Sequence, residues 1–351
     1  MTRLLPLLLA LLVLPALLAG CNLLQLTPTH SAIRTRIVGV TATPAEIAPG
    51  QSTDLTPVVV HAPGVTPDLG ALWFACVTSG SAAGCLGVDP TSSDGFDPSD
   101  LQLGVGDTFT YTASGPSVED AWAALEPAER IEGLTVLVSV NLVPRSNEEL
   151  QQMLIDLGAA AANGDDAELD RLSDELQDLF DGAITAARRV VISDKADANP
   201  APEPSCAVQE LLANTNPSIA GVLLHLDEDG LDEGHELGPV TFVEPGTSLT
   251  LRPVLSDDAV EDYLFINRDD ETECRQERPY FAWIVNGGGI ADYSFVAEEG
   301  DLEEVAGLPK FVSFGLPDAD EFPARLDLWL VLRDRRGGLA WTQRSFVALE
   351  P

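Results

Sequence analysis

Two stretches far apart in the chain repeat each other. "PGQSTDLTPVVV", Pro49 to Val60, aligns with "PGTSLTLRPVLS", Pro245 to Ser256, so that Leu55 matches Leu251 and Pro57 matches Pro253. Other pairs keep the same order: "IVGV" from Ile37 with "IAGV" from Ile219, "ALWFACV" from Ala71 with "YFAWIVN" from Tyr280, "LTVLVSV" from Leu134 with "LDLWLVL" from Leu326, and "ARRVVIS" from Ala187 with "QRSFVAL" from Gln343. An ordered series of matches means that one unit is built twice. The segments read as strands. Leu326, Leu328, Leu330 and Leu332 alternate with Asp327 and Arg333, which predicts a half-buried strand. Pro-Gly before the second strand of each unit supplies a turn, because proline presets φ and glycine accepts a positive one. Trp73 and Trp283 are large enough to fill a sandwich core. Short strands punctuated by turns predict a mainly β fold of two antiparallel sandwiches.

The opening "GVTATPAEIAPGQSTDL" resembles bacterial Ig-like domains, which implies two Ig-like sandwiches, at about 37–194 and 218–351. Trp73 is followed by Cys76 and the late strand holds no cysteine, so the antibody-type disulfide between sheets is not reproduced. A proline- and alanine-rich stretch, "KADANPAPEPS", predicts a linker over 195–217.

The units differ between their last two strands. In the second, "DRRGG" makes a tight turn; in the first, the chain runs through "RSNEELQQMLIDLGAAAANGDDAELDRLSDELQDLFDGAITAA". Ser146 with Glu149 forms a capping box. Leu150, Met153, Leu154 and Leu157 share a helical face. Asn163-Gly164 stops that helix and Asp165 caps the next, in which Leu169, Leu172, Leu176 and Leu179 recur. A helical hairpin over about 146–182 follows. Its apolar stripes predict packing on each other and on the sandwich, with a docking surface for another protein as the alternative. Ig-like topology places this loop at the end where the chain enters, and hence towards whatever anchors the chain.

The first twenty residues, "MTRLLPLLLALLVLPALLAG", carry one charge, Arg3, then an apolar run and a small-residue exit, the pattern of a secretory signal. Leu18-Ala19-Gly20-Cys21 resembles the bacterial lipobox. The resemblance implies lipidation of Cys21, loss of residues 1–20 and a tether over 21–36, which extended could reach roughly 50 Å. One acyl chain anchors only marginally, at about 0.8 kcal/mol per buried methylene, whereas two or three hold firmly. The resemblance to lipoproteins also implies, through Asn22 in place of the aspartate that in proteobacterial lipoproteins favours retention in the inner membrane, the outer over the inner membrane. Lipobox, Ig-like opening and "WFAC" together resemble uncharacterised lipoproteins of myxobacteria. This implies a cell-envelope location and a fold, not a reaction.

With 56 acidic and 19 basic residues the formal charge is -37, which repels phosphate backbones and argues against nucleic-acid partners. The bilayer, reached through acyl chains, is the expected partner. Beyond Cys21 the chain holds Cys76, Cys85, Cys206 and Cys274. An even number in an exported protein points to disulfides; three pairings are possible, of which Cys76–Cys85 with Cys206–Cys274 is favoured. Catalytic patterns such as HExxH, GxSxG, a P-loop or GxGxxG after a strand are not found. "DEDGLDEGHE" offers Asp227, Asp229 and Asp232 as weak calcium candidates, but Leu231 breaks the EF-hand pattern and a solvated acidic loop is the plainer reading. Arg333, Arg335 and Arg336 read as a solvated basic turn paired with nearby carboxylates. The expectation is therefore a lipid-anchored envelope protein with a structural, adhesive or protein-docking role, no cofactor and no catalysis. A carbohydrate- or small-ligand-binding lipoprotein, calcium-assisted or not, is the alternative.

Overall fold

The computed structural model describes residues 32, 34–65, 67–77, 102–195, 211–225, 234–266, 272–291 and 312–349. Cys21, Cys85, Cys206, Asp227, Asp229 and Asp232 lie outside them, and of Cys76 only the backbone is described.

In chain order β1 (Arg36–Thr43), β2 (Glu46–Ile47), β3 (Ser52–Val60), β4 (Gly70–Val77), β5 (Gln102–Val105), β6 (Phe109–Thr112), β7 (Leu134–Val143) and β8 (Ile184–Ile192) build a first sandwich. One sheet has the order β1-β3-β6 and the other β2-β8-β7-β4-β5. The chain crosses between them at Pro44, which has no N–H for a ladder; the Thr43–Pro44 peptide is cis. β2 then runs parallel to β8, with Glu46 opposite Val191. Val40, Leu55, Trp73, Phe109, Val138 and Val190 meet in the core. Trp73 lies nearly flat on Phe109, centroids 5.7 Å apart, and its indole N–H donates to the Gly106 carbonyl at 2.7 Å.

The second sandwich repeats the plan. It comprises β9 (Ile219–His225), β10 (His235–Glu236), β11 (Val240–Val243), β12 (Ser248–Leu255), β13 (Asp262–Ile266), β14 (Thr272–Gln276), β15 (Tyr280–Val285), β16 (Gly289–Ala291), β17 (Val312–Gly315), β18 (Leu326–Arg333) and β19 (Leu339–Ala348). Its sheets are β10-β9-β12-β17-β16 and β11-β19-β18-β15, with β13-β14 as a separate hairpin. β11 runs parallel to β19 as β2 does to β8. The repeat pairs read from the sequence therefore occupy matching places: β1 and β9, β3 and β12, β4 and β15, β7 and β18, β8 and β19. Two mainly β sandwiches, antiparallel except at the β2–β8 and β11–β19 edge pairs, are the architecture.

Among the described residues four helices decorate the first sandwich. α1 (Pro116–Ala124) and α2 (Pro127–Glu132) connect β6 to β7, each with proline in its first turn. α3 (Asn147–Asn163) and α4 (Asp166–Asp181) form the hairpin between β7 and β8. Ser146 and Glu149 make the capping box, and Gly164 ends α3 at φ 65°, where a side chain would be strained. The hairpin folds back over the outer face of the five-stranded sheet. Leu150, Leu154, Leu176, Leu179 and Phe180 rest on Leu72, Phe74 and Val105, and the Phe74 and Phe180 rings are 5.5 Å apart.

The sandwiches also share a core with each other. Val58 and Val60 from the outer face of β3, with Val38, meet Ala282, Ile284, Trp329, Val331 and Leu339 from the outer face of the β11-β19-β18-β15 sheet. This corrects the reading of β18 as half-buried. Every residue from Leu328 to Leu332 is buried, because one face of the strand fills its own sandwich and the other fills the joint. The alternation of Leu and Asp at its start misleads, since Trp329 and Val331 continue the outward face as apolar residues. Ala32 is fully buried too, and its N–H donates to the Val285 carbonyl at 2.6 Å.

Candidate functional site

The groups with most chemistry gather where the two sandwiches meet. The five-residue turn between β18 and β19, Asp334 to Gly338, carries the centre of this joint. Asp334 is 1% exposed; its Oδ1 accepts the N–H groups of Arg336, Gly337 and Gly338 at 2.8–2.9 Å, and its Oδ2 accepts the Asn214 amide at 2.9 Å. The Asn214 backbone N–H donates to Glu46 Oε2 at 2.8 Å. Glu46, also buried, accepts Lys195 and the Ser193 hydroxyl as well. Asn216 donates to the Ala42 carbonyl and accepts the Leu339 N–H. The segment from Leu211 to Pro217 thus straps β1 and β2 of one module to the β18–β19 turn of the other. Gly338 has no room for a side chain: a Cβ there would meet Asp334, Thr215 and Pro217.

Of the arginines in the expected basic turn, Arg333 reaches across the joint, Arg336 is drawn onto its own module beside it, and Arg335 is exposed. Arg333 donates to the Val38 carbonyl across the modules. Arg336 is 13% exposed; it pairs with Glu277 at 2.9 Å and Glu261 at 3.2 Å and lies over the Tyr263 ring. Arg335 stacks beside Tyr280 at φ 71°. The carboxylate pairing expected of this turn is present at Arg336, and Arg335 stays exposed as expected; what differs is that Arg333 and Arg336 are drawn inwards. Two ionisations are displaced here. Burial pushes the Glu277 carboxyl up to about 7, against the pull of the Glu261 N–H and Arg336. Burial lowers Arg188, which reaches towards the same turn between Asp334 and Arg333.

Beside the apolar joint lies a cleft of about 580 Å³. Its floor is the outer face of the β11-β19-β18-β15 sheet, where Trp329 pairs with Gln343 across β18 and β19. Asn286, at the end of β15, holds the Asp327 N–H with its side-chain oxygen at 2.7 Å. Arg325 reaches Asp327 Oδ1 at 2.8 Å, and so does the Ser345 hydroxyl at 2.6 Å. The roof is the loop after β3, with His61 held by Thr35 at 3.2 Å. Burial lowers the His61 pKa, and nearby Asp327 raises it by less. The sequence singles none of these residues out: Asp327 reads as the solvent side of an alternating strand. Nothing local marks them, because the cleft exists only once the modules dock.

Of the site residues expected from sequence, Cys274 is disulfide-bonded and exposed on β14. Cys85 and Cys206 lie outside the described residues. The calcium candidates and the lipidation site are outside them as well. Among the described residues no group of three or more histidine, cysteine, aspartate or glutamate side chains is placed to hold a metal, and no helix is long and apolar enough to cross a membrane.

No protein-family model matches the sequence, and no curated protein does. Among solved structures the chain is similar to three N-terminal domains of the highly immunogenic outer capsid protein of bacteriophage RB49, at 8% identity and a TM-score of 0.17. It is similar to the adhesin InvE of Yersinia pseudotuberculosis at 13% and 0.18. It is also similar to the two tandem V-type regions of VCBP3, a v-region-containing chitin binding protein, at 11% and 0.24. Each alignment covers 90% of this chain, and it covers 59%, 60% and 100% of the other in turn, so the chain spans about three fifths of the first two.

Proposed function

We propose that the chain is a lipid-anchored cell-envelope protein whose role is structural or adhesive and not catalytic. The observation that supports this most is the shared core between the sandwiches. Trp329, Val331, Ile284, Val58 and Val60 are each at most 3% exposed, and a strap of buried polar groups flanks them. Each such side chain contributes roughly 1.5–3 kcal/mol on burial, so the modules move as one stiff body. The buried carboxylates Glu46 and Asp334 are spent on backbone and side-chain donors that hold the joint, which is how polar groups behave in a scaffold. A lipobox cysteine ahead of such a body would tether it to a bilayer, in the outer membrane on the weight of Asn22.

The test is metabolic labelling with a fatty acid together with fractionation of cells. Wild type should take up label and sediment with outer-membrane fractions; Cys21→Ser should do neither. A labelled Cys21→Ser variant, or an unlabelled wild type that stays in membranes after a carbonate wash, would overturn the anchoring. The docking version of the role needs a partner on the solvent side of the hairpin, since its apolar stripe faces the sheet; Ile155, 56% exposed, is the place to disturb. Crosslinking in intact cells should lose that partner in Ile155→Glu, and an unchanged crosslink there removes the hairpin from the role.

A further inference from the structure

We propose that the cleft between the modules binds a neutral saccharide unit. Its volume of about 580 Å³ falls in the range of small-ligand sites, roughly 300–1,000 Å³. Two modules build it, and each brings a different surface. The second supplies a rigid sheet face carrying Asn286, Asp327, Trp329 and Gln343; the first supplies His61 and the apolar loop that follows it.

The charge of the lining selects the ligand class. Arg325 and Asp327 neutralise each other at 2.8 Å, and burial favours the uncharged imidazole of His61. The cleft is therefore neutral on a chain of formal charge -37. An ionic ligand would lose hydration without gaining a counter-charge.

Its hydrogen-bonding groups fit hydroxyls. Among the described residues the Gln343 side-chain amide makes no hydrogen bond. The Asn286 amide uses its oxygen on the Asp327 N–H and keeps its NH₂ available. Asp327 spends Oδ1 on Arg325 and Ser345 and keeps Oδ2. His61 spends Nδ1 on Thr35 and keeps Nε2. Donors and acceptors thus stand side by side, and a hydroxyl, which is both, satisfies such a mixture where a purely accepting or purely donating ligand does not. The remaining wall is apolar: Pro63, Val65 and Pro323 can take the C–H face of a sugar ring, and Val65 stands 46% exposed at the rim.

The inference does not depend on the anchoring, and its test leaves that reading untouched. The purified full chain is presented with glucose, galactose, mannose, N-acetylglucosamine and short oligomers of each, and saturation-transfer NMR is recorded. At least one sugar should bind with a Kd of about 1 mM or tighter. Gln343→Ala should weaken it roughly tenfold, the cost of one or two lost hydrogen bonds. Val65→Trp should abolish binding by filling the mouth, while Phe242→Ser, at an exposed site on β11 of the second module away from the cleft, should leave it unchanged; thermal melts confirm that the variants fold. Absence of transfer to every sugar overturns the proposal. So does binding that survives both Gln343→Ala and Val65→Trp, which would put the sugar elsewhere.

Discussion

In the first sandwich the outer face of the larger sheet carries Leu72, Phe74 and Val105, and the α3–α4 hairpin covers it. In the second the equivalent face carries Ala282, Ile284, Trp329 and Val331, and the first sandwich covers it. One fold repeated in one chain has thus hidden the same apolar face in two ways. An insert serves the module that comes first; its own predecessor serves the second. The connection that differs between the repeats follows from this. Between β7 and β8 the chain is free to run out into two helices. Between β18 and β19 it must fit inside the joint, where Asp334 ties the turn and Gly338 has no space for a methyl group. The difference in loop length is therefore the trace of which face each module presents to its neighbour.

The sharpest way to break the comparison is to remove the joint's largest side chain. Trp329→Ala deletes a side chain that is 3% exposed and should cost about 4 kcal/mol, in the range seen when large aromatic side chains are truncated in cores. The loss should fall on the second sandwich and on the coupling. Hydrogen exchange followed by mass spectrometry should show β15, β18 and β19 deprotected, with the α3–α4 hairpin nearly unchanged. Equal deprotection of both modules would mean that they do not cover themselves independently. Leu150→Ala is the mirror experiment. It opens a cavity under the hairpin at a residue 1% exposed and should cost about 3 kcal/mol, now with β4 and β7 affected and the joint preserved.

A third experiment titrates the joint alone. The Glu277 carboxyl ionises near 4.5 when unfolded and at about 7 in the folded protein, so the native state keeps its proton through that interval. The unfolded state then binds fewer protons than the native one, and stability falls as pH rises from about 4.5 to about 7, then levels off. The contribution is on the order of 3 kcal/mol, from about 1.4 kcal/mol for each unit between 4.5 and about 7. Glu277→Gln, measured by urea denaturation across that interval, should flatten the slope. A variant with the wild-type slope would place the titration elsewhere.

These effects also mark what could be read beforehand. The strand pairs were legible because each strand announces itself locally, by alternation and by Pro-Gly turns; Trp73 and Trp283 are in their cores as expected. The hairpin was legible because Ser146, Glu149, Gly164 and Asp165 are short-range signals. α1 and α2 were missed although Pro116, Pro127 and the Glu126–Glu129 capping box were available, since short helices bury too little to leave a periodic pattern. The cleft and the joint were not legible at all. Asp334 and Arg336 look like surface residues until another module lies against them, and docking geometry leaves no spacing in the sequence. The same holds for Asn214 and Asn216, which sit in what composition marks as linker.

The smallest expected effect tests whether the hairpin is an independent cover or a part of the sandwich. Ser146 accepts the Glu149 N–H at 3.2 Å, and Glu149 returns a bond to the Ser146 N–H at 2.9 Å. Ser146→Ala removes half of that box and should cost about 1 kcal/mol, a usual value for a lost N-cap. The cap sits where α3 leaves β7, next to Asn147, which holds the Ala71 N–H at 3.0 Å and Asp107 at 3.1 Å. If the hairpin is merely laid on the sheet, Ser146→Ala should fray α3 and leave the exchange of β4 unchanged. If hairpin and sheet fold as one unit, the same loss should appear in Ala71 and Leu72 as well. The bonds from Asn147 favour the second outcome. Coverage by the hairpin would then be as cooperative as coverage by the joint, and the two solutions would differ in topology but not in kind.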